Sequence, residues 1–176
     1  THGSPVRVDS GIPVYSAKNV TDNGFTEITN RFTTNEEFEK FNKRLPLRIG
    51  DVLITIVGTI GRVAILNVET PMVFQRSIGV LRPKQEFVTS KYLYHYLRTN
   101  DVKAQIQTRI NKSTQAGIYL GKLKTVEIDV PSLDKQNEIT TILDKVLTGK
   151  ENAESLQQKY ELAYLAFSQM LLENEN

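Results

Sequence analysis

There is no cysteine and no tryptophan among the 176 residues, and histidine occurs only twice. Without cysteine the sequence holds no disulfide framework, no thiolate metal site and no cysteine nucleophile, a usage that fits a cytoplasmic protein. His2 and His95 stand in no HExxH or comparable metal-ligand spacing, and His95, inside "YLYHYL", reads as a packing or surface residue. No apolar run approaches the roughly 18 residues that a membrane helix needs, and no signal-peptide pattern opens the chain. The first residue is Thr1 rather than methionine, which leaves room for residues upstream. The length suits one packed domain with an appendage rather than two ordinary domains. Hydrophobic residues make up 39%, low for a compact globule, yet no disorder-like block, low-complexity segment or internal repeat interrupts the chain.

What charge there is lies unevenly. From Asp134 onward there are four Lys/Arg against eight Asp/Glu, while residues 1–133 carry 18 against 12, so a net of +6 precedes a tail of −4. A basic globule suits a polyanion and an acidic helical tail suits a protein partner, although +6 is modest. The break falls at "VEIDVPSLDKQNEI". Val126, Ile128 and Val130 alternate with Glu127 and Asp129, the period of a half-buried strand, and Pro131 stops it. Ser132 is positioned as a helix N-cap, with Asp134 at the end of the helix that favours negative charge. The expected domains are therefore 1–133 and 134–176.

In the tail, small or apolar residues recur at Ile139, Ile142, Val146, Gly149, Ala153, Leu156, Tyr160, Ala163, Phe167 and Met170. Steps of three and four alternate without a slip, which is the seam of a coiled coil. A helix over Lys135–Leu172 would be about 57 Å long and would pair with a second helix. Gly149, in "LTGKEN", is its weak link, a place for a bend or for the close approach of a partner backbone.

The first 133 residues read as mixed α and β, an α+β domain. Strands are expected at Gly50–Val57, Arg62–Val68 and Ser77–Arg82. Val88–Thr99 is an amphipathic helix with Tyr92, Leu93, Tyr96 and Leu97 on one face and Thr89 or Ser90 as cap. Asp101–Ile110 and Thr34–Leu45 supply two further helices.

"GDVLITIVGTIGRVAIL" raises the question of a phosphate loop, because Gly58 and Gly61 interrupt two strand-like runs. A Walker loop needs GxxxxGK[ST] and a following helix; here Arg62 stands in place of the lysine and a strand follows. A KH-type loop needs helical flanks as well. A hairpin turn with positive-φ glycines fits better. The sequence holds no GxSxG, no Ser–His–Asp context, and only Asp101-Val102-Lys103 as a nuclease-like [DE]xK, with no Pro-Asp before it.

Polar, glycine-punctuated segments are more informative. "RINKSTQAGIYLGKLKTVEI" groups Asn111, Lys112, Ser113, Thr114 and Gln115 ahead of Gly117, with Lys122 and Lys124 beyond; "FQRS" holds Gln75 and Arg76, and "SAKN" holds Lys18 and Asn19. Arg and Lys suit phosphates or guanine, and Asn and Gln suit adenine. Any one such segment is ordinarily a solvated loop.

Taken together, the segments resemble the specificity subunit of type I restriction–modification systems. "THGSPVRVDSGIPVYSAKNV" is similar to the opening of that family's target-recognition domain, and "LRIGDVLITIVGTIGRVAIL" to its strand-turn-strand. "FQRSIGVLRP", "SKYLYHYLRT", "STQAGIYLGKLKTVEIDVPSLDKQNEI" and the tail helix follow in the family's order. The resemblance implies a target-recognition domain that binds a half-site of double-stranded DNA, then a conserved-region helix. Usual members carry two of each, with the helices paired antiparallel as a spacer. This chain has one, which implies either a half-subunit acting as a homodimer or a piece of a full subunit.

Methyltransferase subunits, and a restriction subunit, would bind alongside and supply catalysis with S-adenosylmethionine, ATP and Mg²⁺. This chain would be no enzyme, hold no cofactor or metal, and touch no membrane. The resemblance makes Arg62, Arg76, Lys112, Lys122 and Lys124 candidates for phosphates, and Gln75, Asn111, Ser113, Thr114, Gln115, Lys18 and Asn19 candidates nearer base edges. Rival readings are the recognition domain of a fused type II restriction–methylation enzyme, a small nuclease, and a coiled-coil scaffold or DNA mimic. The basic first part argues against a mimic, which should be acidic. The seam carries its own test: Leu156→Asp or Phe167→Asp should give monomers by light scattering, and a dimer that survives both changes removes the coiled coil.

Overall fold

A computed structural model describes residues 4–111 and 116–173, with the side chains of the last helix described as far as Lys159, Glu151 excepted. The architecture is α+β. Its central unit is an antiparallel sheet of β5 (Val52–Thr55), β6 (Val63–Ile65) and β8 (Ile78–Leu81), in the order β6-β5-β8. Leu53 stands opposite Ala64 on one side and Val80 on the other. A second sheet is built on β1 (Ile12–Tyr15), which pairs antiparallel with β4 (Phe32–Thr33) and parallel with β7 (Val73–Phe74). Between β1 and β4 in the chain, β2 (Val20–Thr21) and β3 (Gly24–Phe25) form a small hairpin.

The sequence of β5 is apolar at consecutive positions because both of its faces are covered. Val52, Ile54 and Ile56 point into one core with Val63, Leu93, Leu97 and Val102. Leu53 points the other way, into a core with Tyr15, Val20, Ala64, Leu66 and Met72. Tyr15, Phe25 and Phe74 pack edge-on or tilted in that second core, with ring centroids 5.0–6.2 Å apart.

Three helices start on a threonine cap, and the second and third of them cover the first core. Thr34, Thr89 and Thr99 each accept a backbone N–H at the N-termini of α1 (Asn35–Asn42), α2 (Ser90–Tyr96) and α3 (Asn100–Arg109). These helices fall where the sequence places them: α1 and α2 are shorter by a few residues, and α3 keeps its expected length one residue earlier in the chain. A four-residue helix, α4 (Leu120–Leu123), follows.

The expected strand at Val126–Val130 is absent. Its alternation is real, since Val126 and Ile128 pack against the first core while Glu127 and Asp129 face out. The backbone partners, however, are side chains. Gln105 accepts from Glu127 N at 2.9 Å and donates to Glu127 O at 3.0 Å. Arg109 donates to Thr125 O at 3.0 Å, and the Tyr92 hydroxyl to Asp129 O at 2.8 Å. Burial holds the Tyr92 proton above its ordinary pKa, so the group stays a donor. The segment is an extended strap laced to α2 and α3, with several of its backbone groups bonded outside any sheet.

The last helix, α5 (Leu133–Glu173), starts just after Ser132, whose hydroxyl accepts from Lys135 N at 3.4 Å. Gln136 is fully buried. Its amide accepts from Thr89 N at 2.9 Å and donates to Phe87 O at 2.7 Å and Pro131 O at 2.8 Å. The chain divides into two compact units, residues 1–136 and 137–176, so Gln136 belongs to the first. Within the second unit the seam residues Ile142, Val146 and Leu156 are 56%, 62% and 67% exposed. Ala153 is exposed as well, and Ile139 half-buried. Nothing lies within 4 Å of the space a side chain at Gly149 would take. The side chains of Tyr160, Ala163, Phe167 and Met170 lie outside the described set. No helix among the described residues is long and apolar enough to cross a membrane.

One ion pair, between a buried carboxylate and a partly exposed arginine, fixes the start of β5. Asp51 is 1% exposed and receives a two-pronged contact from Arg82, Nε to Oδ1 and Nη2 to Oδ2, both 2.7 Å. Hydrogen bonding to Asp51 holds the Arg82 proton more firmly than usual. Arg82 Nη2 also donates to Pro46 O at 2.6 Å, and Asp51 accepts from Arg48 N at 2.9 Å. Removing the arginine strands a buried carboxylate, so Arg82→Ala should cost about 3 kcal/mol of unfolding free energy in a urea titration. Arg82→Lys should recover only part, because an ammonium cannot reproduce the fork.

Candidate nucleic-acid interface

The hairpin between β5 and β6 is built inward. Gly58 and Gly61 have φ of +81° and +89°, the conformation that favours glycine. Thr55, fully buried, organises the turn: its hydroxyl donates to Thr59 O and accepts from Arg62 N, while its carbonyl accepts from Gly61 N. The amides of Gly61 and Arg62, which a phosphate loop would aim outward, are thus spent inside the turn. The turn's function is to hold Arg62 and the tip residues in place.

The backbone just past β5 is where the polar segments meet. Ile56 N donates to Ser77 O and Ile56 O accepts from Ile118 N, both at 2.9 Å. Val57 bridges Gly117, and Gly117 in turn bridges Asn111. Ser77 Oγ accepts from Ala17 N at 3.0 Å, and Tyr15 O accepts from Gln75 N at 2.8 Å. Segments that are distant in sequence, around 15–18, 57–62, 75–77, 111 and 117–118, therefore converge at the C-terminal end of one strand. Loop residues held on a rigid scaffold are the usual build of a binding face.

The side chains at this convergence are polar and mostly accessible. Lys18 and Arg76 are exposed and Gln75 is half-buried. Arg62 lies 3.5 Å from Asp22, an exposed pairing of the kind worth little and readily exchanged. Asn111 donates to the Tyr119 hydroxyl at 3.3 Å, and Gln75 accepts from Arg31 at 3.4 Å. Lys122 and Lys124 are exposed further on, at α4 and its C-terminal cap. Lys112, Ser113, Thr114 and Gln115 lie outside the described residues.

Asn19 does not match its expected role as a base reader. It is 6% exposed, and its amide is used up inside the fold: Oδ1 accepts from Ser16 N at 3.0 Å, and Nδ2 donates to Thr26 O at 3.1 Å and Ile28 O at 2.8 Å. Residue type alone does not distinguish an asparagine that reads from one that braces. Conversely, Arg31 and Tyr119 join the face although no sequence motif points to them. Arg31 stands alone in "TNRFTT", and Tyr119 looks like a core residue until the fold leaves it 68% exposed. His95 lies edge-on to Tyr94, with ring centroids 5.0 Å apart. Among the described residues no cluster of three His or carboxylate side chains could hold a metal ion.

A polar face assembled from separate loops on one buried strand is the build of a recognition domain. Residues 7–163 match the family described as the type I restriction modification DNA specificity domain, and the chain belongs to that family. It is 32% identical over 118 residues to a putative type I restriction enzyme specificity subunit of Haemophilus influenzae, covering 66% of this chain and 29% of that one. Over 147 residues it is 21% identical to the type I restriction enzyme EcoBI specificity subunit of Escherichia coli, covering 84% and 31%. The chain thus spans about a third of the length of these curated relatives.

The fold is similar to that of the HsdS subunit from Thermoanaerobacter tengcongensis, with a TM-score of 0.65 at 13% identity over 87% of this chain and 41% of that one. A chain from a structure concerned with complex assembly and conformational transition of the type I R-M system gives 0.62 at 22% identity, over 86% and 34%.

Thr55→Val keeps the shape and deletes the hydroxyl that closes the turn. It should cost about 1–3 kcal/mol and speed hydrogen exchange at the Arg62 amide, whereas Thr55→Ser should stay near wild type.

Proposed function

We propose that this chain binds one half-site of double-stranded DNA through the face at the end of β5, as the address-reading part of a type I restriction–modification assembly. The observation that carries the reading is the convergence of the Lys18, Arg62, Gln75–Arg76 and Asn111 segments on one strand end, in a chain of the DNA specificity family. Arg62, Arg76, Lys122 and Lys124 anchor phosphates, and Lys18, Gln75 and Asn111 approach base edges. Asp22 can yield Arg62 to a phosphate at little cost. Lys112, Ser113, Thr114 and Gln115 follow directly on Asn111 in the chain and extend the same segment.

In this reading the chain performs no chemistry and needs no cofactor of its own. Methyltransferase subunits, with S-adenosylmethionine, and a restriction subunit, with ATP and Mg²⁺, act at the address it supplies, in the cytoplasm. The exposed seam of α5 pairs with the same helix of a second copy, and the helix pair spaces two half-sites. A scaffold without a DNA role would leave the convergence of polar segments without a purpose.

Counterion release tests the electrostatic part. Replacing Arg62, Arg76 and Lys122 with alanine should weaken binding to every duplex and reduce the slope of log K against log salt by roughly one for each phosphate left unneutralised. An unchanged slope, or no affinity of the wild-type chain for duplex DNA at low salt, overturns the reading.

A further inference from the structure

The loop that Asn19 braces ends in an isoleucine with no apolar neighbour to bury it. Ile28 is 86% exposed, the highest value among the large hydrophobic residues described. A lone exposed aliphatic side chain is common on protein surfaces and by itself carries no message. Here two further observations accompany it.

First, the loop is fixed. Besides the two Asn19 bonds to Thr26 O and Ile28 O, Thr26 N donates to Asn19 O at 2.9 Å and the Tyr15 hydroxyl to Glu27 O at 3.2 Å. Thr29 Oγ1 donates to Val14 O at 3.0 Å and accepts from Arg31 N at 3.1 Å, and Arg31 O accepts from Val14 N at 2.8 Å. The carbonyls of Thr26, Glu27, Ile28 and Arg31 are all bound to β1 or to the turn after it. A buried amide and a tyrosine hydroxyl therefore hold an exposed aliphatic group in one place.

Second, the loop borders the polar face. Arg31, three residues past Ile28, reaches Gln75, and Asn19 is the chain neighbour of exposed Lys18.

We propose that Ile28 makes an apolar contact with a base edge in the DNA groove, selecting the 5-methyl group of thymine, and that Asn19 is the positioning residue that presents it. The inference rests on the DNA-binding reading above. The thymine methyl is the one apolar group that base pairs display in the major groove, and an aliphatic side chain is its natural complement. A pre-ordered loop makes such a contact without the entropy cost of ordering a free one. The basic residues of the face cannot supply this discrimination, because phosphate contacts are blind to sequence.

The test begins with duplexes selected by the full wild-type chain from a random pool. Their affinities are then compared with those of the same duplexes carrying deoxyuridine in place of each thymine in turn. Wild type should bind about fourfold more weakly at one position, the value of one buried methyl group. Ile28→Ala should bind the thymine and uracil duplexes alike, with the wild-type salt slope, because every phosphate anchor stays in place. Asn19→Asp, which removes the Nδ2 donors, should blunt the discrimination in the same way.

Three outcomes overturn the proposal: no weakening at any thymine, an Ile28→Ala chain that still discriminates, or an Ile28→Ala chain with a changed salt slope. Ile28 is exposed, so its substitution leaves folding intact and the test does not depend on how Asn19→Asp folds. Failure of wild type to bind any duplex removes the DNA reading itself, whereas salt-dependent binding without methyl discrimination removes only this inference.

Discussion

Burial of both faces of β5 is the constraint on which the first unit depends. Leu53 on one side and Val52 and Ile54 on the other tie together two cores that would otherwise be separate. A strand held in this way cannot slip by one residue without exchanging its two faces, so its register against β6 and β8 is fixed. That register sets the positions of Ile56 and Val57, and through them of Ser77, Gly117 and Ile118. The proposed DNA face is thus a direct extension of the core.

Two ion pairs show how the same chemistry serves different ends. Asp51 and Arg82 meet in a two-pronged contact at the buried start of β5, where a carboxylate without a partner would be costly. Arg62 and Asp22 meet at 3.5 Å in water, at the opposite end of the strand. The first pair is part of the frame. The second is loose enough for a DNA phosphate to compete for the arginine.

Much of this is legible in the sequence, and the limits have physical causes. The glycines of the hairpin, the Thr89 cap and the long last helix follow local rules, and local rules can be read from neighbours in the chain. The alternation separates inward from outward correctly from Val126 to Asp129 but not at Val130, which is exposed, and periodicity cannot say whether a backbone will pair with a strand or with Gln105, Arg109 and Tyr92. Residue type alone assigns Asn19 to the face, and its true place follows from bonds to residues 26 and 28 that no spacing announces. Arg31 and Tyr119 escape a reading of the sequence for the converse reason: each is brought to the face by the fold alone.

Apart from the Ser77 hydroxyl that accepts from Ala17 N, the bonds that gather these segments join main-chain atoms: Ile56 to Ser77, Ile56 to Ile118, and Asn111 to Gly117. Main-chain bonds take no account of side-chain identity. The residues that point outward from these segments can therefore be exchanged one by one while the framework beneath them keeps its geometry. On the proposed DNA-binding role, such a domain can change the word it reads without relearning how to fold, which allows one scaffold to diversify into many addresses.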